Sequence, residues 1–223
     1  MGRWQPDARA RLQAAALALY GERGYEETTV AEIAERAGLT KRTFFRYFAD
    51  KREVLFWGSE LLEQQMVAAI EAAPASASVL GMIGAALDAA AARFEEVREF
   101  ARPRHRIIAS SPELRERELI KAASLAAAMA GALRKRGFGD TAAALAAHMG
   151  LTIMHVAFEQ WVEDPSQAPF QQIARDALVE ARGIDEPSGD RRLPDPFDHR
   201  GEGLADEPVR KRGMPAVGVD DAG

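Results

Sequence analysis

Six basic side chains, Arg36, Lys41, Arg42, Arg46, Lys51 and Arg52, fall within residues 36–52 against the single carboxylate of Asp50, a local excess of five positive charges. The chain as a whole carries a formal net charge of -5. Salt limits interactions between exposed charges to about 8 Å at physiological ionic strength, so acidity elsewhere does not mask the cluster at contact distance. Such a cluster suits phosphate oxygens. Its donors divide by chemistry: Thr29, Thr40, Tyr47 and Lys51 suit phosphate positioning, with exposed amides at helix starts adding to them. Lys41, Arg42, Thr43 and Arg46 suit base edges, and the Phe45 ring suits a thymine methyl or a sugar. Arg3, near the N-terminus, would reach a minor groove. The same residues also fit a solvated basic face with Phe44, Phe48 and Tyr47 in a core. Spacing alone leaves both readings open.

Little else in the chain carries catalytic chemistry. There is no cysteine among the 223 residues, which excludes disulfides, thiolate metal sites and thiol nucleophiles. His105, His148, His155 and His199 are scattered, without metal-ligand spacing. Neither a glycine-rich phosphate loop nor a Gly-x-Ser-x-Gly elbow is present. No enzymatic activity, cofactor or metal is therefore expected. His155 and Glu159, four apart, are the nearest approach to a metal pair; a dimer interface or a pocket edge fits their stripe with His148 and Thr152 far better. No run approaches the ~20 uncharged apolar residues of a membrane span, and the first residues lack a signal-peptide core, so a cytoplasmic protein is expected.

The elements that must hold the basic cluster are helical. Alanine, leucine, glutamate and arginine dominate to about residue 183 with no alternating β-branched run, so the spacing predicts an all-α protein. Asp7 caps a first helix that ends at Gly24. Thr29 and Glu32 have capping-box spacing for a helix of two turns stopped by Gly38, and Thr40 caps a third, with Leu39 and Phe44 as its hydrophobic staple. Asp50 and Glu53 open a fourth, predicted unbroken to Pro74. Further helices are predicted over 79–100, after Pro103, and over 112–136, 141–162 and 170–182. From Ile184 the composition turns to Pro, Gly and mixed charge, predicting a disordered tail whose Arg210, Lys211 and Arg212 are solvated or touch nucleic acid.

A short second helix, a tight link and a third helix make a helix-turn-helix pattern, whose second helix enters the major groove. Residues 28–55, TTVAEIAERAGLTKRTFFRYFADKREVL, resemble the DNA-binding signature of TetR/AcrR-type transcriptional regulators. The likeness lies in the Thr-Val-x-x-Ile-Ala-x-x-Ala-Gly run, the following Thr, the aromatic pair and the Lys before helix four. Phe45 departs from it: many relatives carry Tyr or Trp there, and Phe has no hydroxyl to donate.

The resemblance implies a DNA-binding head over residues 1–50, a helical ligand-binding and dimerisation domain over 51–183, and the tail over 184–223. It further implies a homodimer through helices 141–162 and 170–182, a near-palindromic double-stranded DNA operator, and release by a small-molecule effector. For that effector the chain offers Trp57, Met66, Phe94, Arg104, His105, Met129, His155 and Phe158, each of which also fits ordinary packing or ion pairing. A helical interaction module that no longer reads DNA is the remaining alternative.

Overall fold

The computed structural model describes residues 7–164, 166 and 168–183. They form ten helices with no strand among them. The tail over 184–223 and Arg3 lie outside the described residues.

Three short helices come first: α1 (Ala8–Arg23), α2 (Val30–Arg36) and α3 (Lys41–Tyr47). Asp7 caps α1 by accepting from the Arg9 amide. Thr29 and Glu32 close a reciprocal capping box on α2, with Glu32 Nα–H to Thr29 Oγ1 at 3.3 Å and the Thr29 amide to Glu32 Oε2 at 2.9 Å. Thr40 caps α3 by accepting from the Thr43 amide at 3.1 Å. Gly38 has φ +64, and a Cβ there would lie 2.8 Å from Arg11 Nη2. The turn between α2 and α3 thus needs glycine for two reasons: a left-handed backbone and the approach of a side chain from α1. Arg11 donates there to the Ala37 carbonyl. Leu12, Ala16, Ile33, Ala34 and Phe44 are each at most 1% exposed, and with Val54, Leu55, Phe56, Ile107, Ile108 and Leu114 they make one apolar cluster.

The fourth predicted helix is two. α4 (Glu53–Phe56) stops at Trp57, whose ψ of 135° is extended, and α5 (Ser59–Ala72) begins after Gly58 at φ 91°. The apolar periodicity runs straight through this break, so it hid the glycine's backbone requirement. Asp50 still caps α4, accepting from the amides of Arg52 at 2.8 Å and Glu53 at 3.1 Å.

Next come α6 (Val79–Glu96), α7 (Arg98–Ser110), α8 (Pro112–Lys135), α9 (Asp140–Glu163) and α10 (Phe170–Gly183). The helix expected to run from 79 to 100 turns at Val97, and α7 continues through Pro103. Proline removes one intrahelical donor there, and the carbonyl left over belongs to exposed Glu99, where water can serve it. α5, α6, α8 and α9 pack around a second cluster that includes Met66, Ile70, Ile83, Met129 and Leu133, all 0% exposed. At Gly150 a Cβ would come within 3.0 Å of Ile83 Cγ2 and 3.2 Å of Met129 Cε, so α9 approaches its neighbours as closely as glycine allows. By length and composition α9 could cross a membrane, contrary to the expectation of no such run; here it packs against α6, α8 and α10. A third cluster joins Ala91, Ala101, Ala157, Trp161, Phe170 and Ala174.

Candidate nucleic-acid interface

α3 rests on the first cluster through Phe44, which is 0% exposed, and Phe48, which is 3% exposed. That anchoring leaves Lys41, Arg42, Phe45 and Arg46 exposed on the other side, with Thr43 and Tyr47 half-buried between. Phe45 is 57% exposed, too much for a core residue and available to an apolar or stacking partner.

The six basic residues of the cluster separate into two groups. Arg36 forms a bidentate pair with Glu22 at 2.7 and 3.1 Å. Arg52 is held by Asp50 at 2.6 Å and Glu113 at 3.1 Å. Lys51 donates its ammonium to the carbonyls of Tyr25, Glu26 and Thr28 at 2.8, 3.2 and 3.2 Å, and lies 4.2 Å from the Tyr25 ring centre. Its ammonium is thus engaged by the loop that leads into α2. Lys41, Arg42 and Arg46 have no carboxylate partner among the described residues. Arg46 donates instead to Tyr47 Oη at 3.2 Å. Free positive charge is therefore concentrated on α3 itself.

Thr29 and Thr40 are exposed but already engaged as caps: Thr29 Oγ1 also donates to Glu32 Oε2 at 2.8 Å, and Thr40 and Thr43 share a hydroxyl contact at 3.0 Å. Hydrogen bonds from the Thr29 amide and hydroxyl hold the Glu32 carboxyl below its usual range. Tyr20 donates to the Lys51 carbonyl at 2.7 Å, and burial pushes its phenol well above the ordinary value, so it stays a donor. These bonds set α2, α3 and the start of α4 against α1.

Arg9 and Arg11 were not among the expected site residues. Arg11 locks the turn before α3, and Arg9 lies against Tyr47 and Trp57.

The residues expected around an effector are dispersed. Met66 and Met129 are fully buried in the second cluster. Arg104 donates to the Leu55 carbonyl at 2.7 Å, reaches Glu118 at 3.4 Å, and lies 5.3 Å from the Phe56 ring centre. Trp57 is 41% exposed at the α4–α5 break. His155 points out from α9 and pairs with Glu159 at 3.4 Å, its side chain 66% exposed. Only Phe94, His105 and Phe158 come together: Phe158 lies 5.2 Å from Phe94 and 5.8 Å from His105 between ring centres. Trp161, whose indole N–H is buried without a hydrogen-bond partner among the described residues, joins this group at 5.7 Å from Phe158.

Residues 12–56 match the family model of bacterial regulatory proteins, tetR family. The HTH-type transcriptional regulator TcmR of Streptomyces glaucescens is 38% identical over 81 residues, which is 36% of this chain and 36% of TcmR. The chain thus matches about a third of that relative's length. MftR, a candidate transcriptional regulator of mycofactocin biosynthesis in Mycobacterium tuberculosis, is 25% identical over 173 residues, covering 76% of this chain and 87% of MftR. The crystal structure of the transcriptional regulator FadR from Bacillus subtilis in complex with stearoyl-CoA superposes with a TM-score of 0.55 at 18% identity, covering 76% of this chain and 95% of FadR. At that identity the likeness is one of fold.

Proposed function

We propose that the chain, whose residues 12–56 match the family model of bacterial regulatory proteins, tetR family, is a cytoplasmic, homodimeric repressor of that kind that binds a near-palindromic operator and is released by a small molecule. Residues 1–50 read DNA, and residues 51–183 bind the effector and the second subunit. The observation that carries the reading is the unpaired charge of Lys41, Arg42 and Arg46 on one exposed helix, beside cationic neighbours that are all engaged elsewhere. Lys41, Arg42, Thr43 and Arg46 face base edges, Phe45 a methyl or sugar, and Tyr47 a phosphate.

Two further observations support the assembly and the effector. Leu145 and Val156 on α9 and Val179 on α10 are 67%, 40% and 64% exposed, an apolar content that a second copy would cover. Two heads in such a dimer suit half-sites about 34–36 Å apart. The aromatic group of Phe94, Phe158 and Trp161, with His105 beside it, suits a ligand with an apolar body. FadR with its stearoyl-CoA makes a long-chain acyl-CoA the first compound to try.

The test is selection of purified protein against genomic DNA fragments, followed by anisotropy titration of enriched fragments over a salt series, with and without stearoyl-CoA. A near-palindromic site bound at least ~10³-fold more tightly than bulk DNA supports the reading. Binding that is weak, uniform across sequences and abolished by salt sinks it. Release by stearoyl-CoA identifies the effector class, and no release leaves the DNA reading standing while rejecting that class.

A further inference from the structure

An alternation of guanidinium groups and aromatic rings joins α3 to α6, with Tyr47 also resting on the first apolar cluster. The guanidinium carbon of Arg46 lies 4.9 Å from the Tyr47 ring centre, and that of Arg9 lies 5.3 Å from Tyr47 and 5.0 Å from Trp57. Arg93 then lies 5.7 Å from Trp57. Each separation falls within the roughly 6 Å over which a ring quadrupole attracts a cation. The series passes from α3 through the first turn of α1 to the α4–α5 break and ends on α6.

Independent contacts hold its members in place. A Cβ on Gly58 would lie 2.9 Å from Arg93 Nη2, so the glycine that breaks the helix also admits the Arg93 guanidinium. The Arg93 side chain is 13% exposed, whereas Glu96, its ion-pair partner at 2.8 Å, is 68% exposed. The enclosed surroundings of that charge are therefore ring and backbone, and the carboxylate sits at the rim. Arg9 Nε is buried with no hydrogen-bond partner among the described residues. A cation deprived of water at that atom needs compensation, and the rings of Tyr47 and Trp57 are what surrounds it. Trp57 stays 41% exposed, so burying apolar area does not account for so large a ring at this place.

We propose that Arg93, Trp57 and Arg9 are positioning residues for DNA reading: they set α3 against α6, so that a displacement of α6 is felt at Tyr47 through the stacked groups. The proposal rests on α3 being the DNA-reading helix. Simple packing would require the volume of Trp57 but not the charge on Arg93, and this difference separates the two roles.

The experiment is a double-mutant cycle on the full chain, read as affinity for the selected operator, with thermal midpoints measured alongside. Arg93→Met keeps the stem and removes the charge; it should weaken operator binding about 2- to 5-fold. Trp57→Leu loses both cation contacts and should weaken it about 5- to 25-fold. The double variant should bind more tightly than the product of the two single losses, because Arg93 has nothing left to act on. Arg93→Lys should restore most of the affinity, and Glu96→Gln should leave it near wild type. Losses that multiply in the double variant, or operator affinity that stays unchanged while the thermal midpoint falls, overturn the proposal. A wild type that binds specifically together with a cycle that closes additively removes the positioning role alone. A wild type without specific binding removes the α3 reading, and the positioning role with it.

Discussion

Position in the fold, not residue type, decides which cations are free for DNA. Lys41 and Lys51 have the same side chain and lie ten positions apart, yet Lys51 is saturated by three carbonyls and Lys41 is not. Lys41→Ala should therefore lower the slope of log affinity against log salt by about one unit and leave stability nearly unchanged. Lys51→Met should do the reverse: lose about 2 kcal/mol of stability, since hydrogen bonds made by a charged donor are given up, while the salt slope holds. Denaturant titration and salt-series anisotropy on the same two variants check both halves. Equal slopes for the two would show that Lys51 also meets phosphate. Arg42→Ala and Thr43→Val should alter which base pairs are preferred, visible as a changed motif when the selection is repeated.

At the scale of elements, the short helices depend on their ends, because two turns cannot stabilise themselves. Thr29→Ala removes the hydroxyl half of the α2 capping box, while the backbone amide keeps its bond to Glu32, and should cost about 1 kcal/mol in denaturant unfolding. Gly58→Ala places a side chain at φ 91° and crowds Arg93, at a cost of about 1–3 kcal/mol for the backbone alone. Asp50 ties the start of α4 in a pH-dependent way. Burial raises its pKa, but hydrogen bonds from the Arg52 side chain and the Glu53 and Arg52 amides outweigh that and hold the carboxyl below its ordinary 3.8. A folded value below the unfolded one gives stability that is present above the unfolded pKa and lost as pH falls through the folded one. The thermal midpoint of Asp50→Asn should thus lie below wild type at neutral pH, with the gap closing below about pH 4. A gap that persists into acid would place the effect in the shape of the residue and not its charge.

At the scale of the molecule, α9 and α10 leave Val156 and Val179 uncovered while their other faces pack on α6 and α8. Val156→Glu and Val179→Glu put charge into the proposed subunit contact without touching the first cluster. Sedimentation should show a monomer, and operator affinity should fall by at least ~10-fold as the two heads lose their fixed separation. A variant that remains dimeric with full affinity would move the interface elsewhere.

Patterns that repeat along the chain were legible in the sequence. Caps, apolar periodicity and the charge excess placed α1, α2 and α3 and singled out the face carrying Lys41, Arg42, Phe45 and Arg46, because those signals act over a turn or two of helix. Contacts between distant segments were not. The tertiary structure alone decided that Arg36 and Arg52 meet Glu22, Asp50 and Glu113, and that Lys51 caps a loop. It likewise decided that α4 breaks from α5 at Gly58, beside Arg93, and that Met66 and Met129 lie inside the second cluster while Phe158 meets Phe94 and His105. A side chain's identity states what it can bond to; only the folded chain brings the partner within reach.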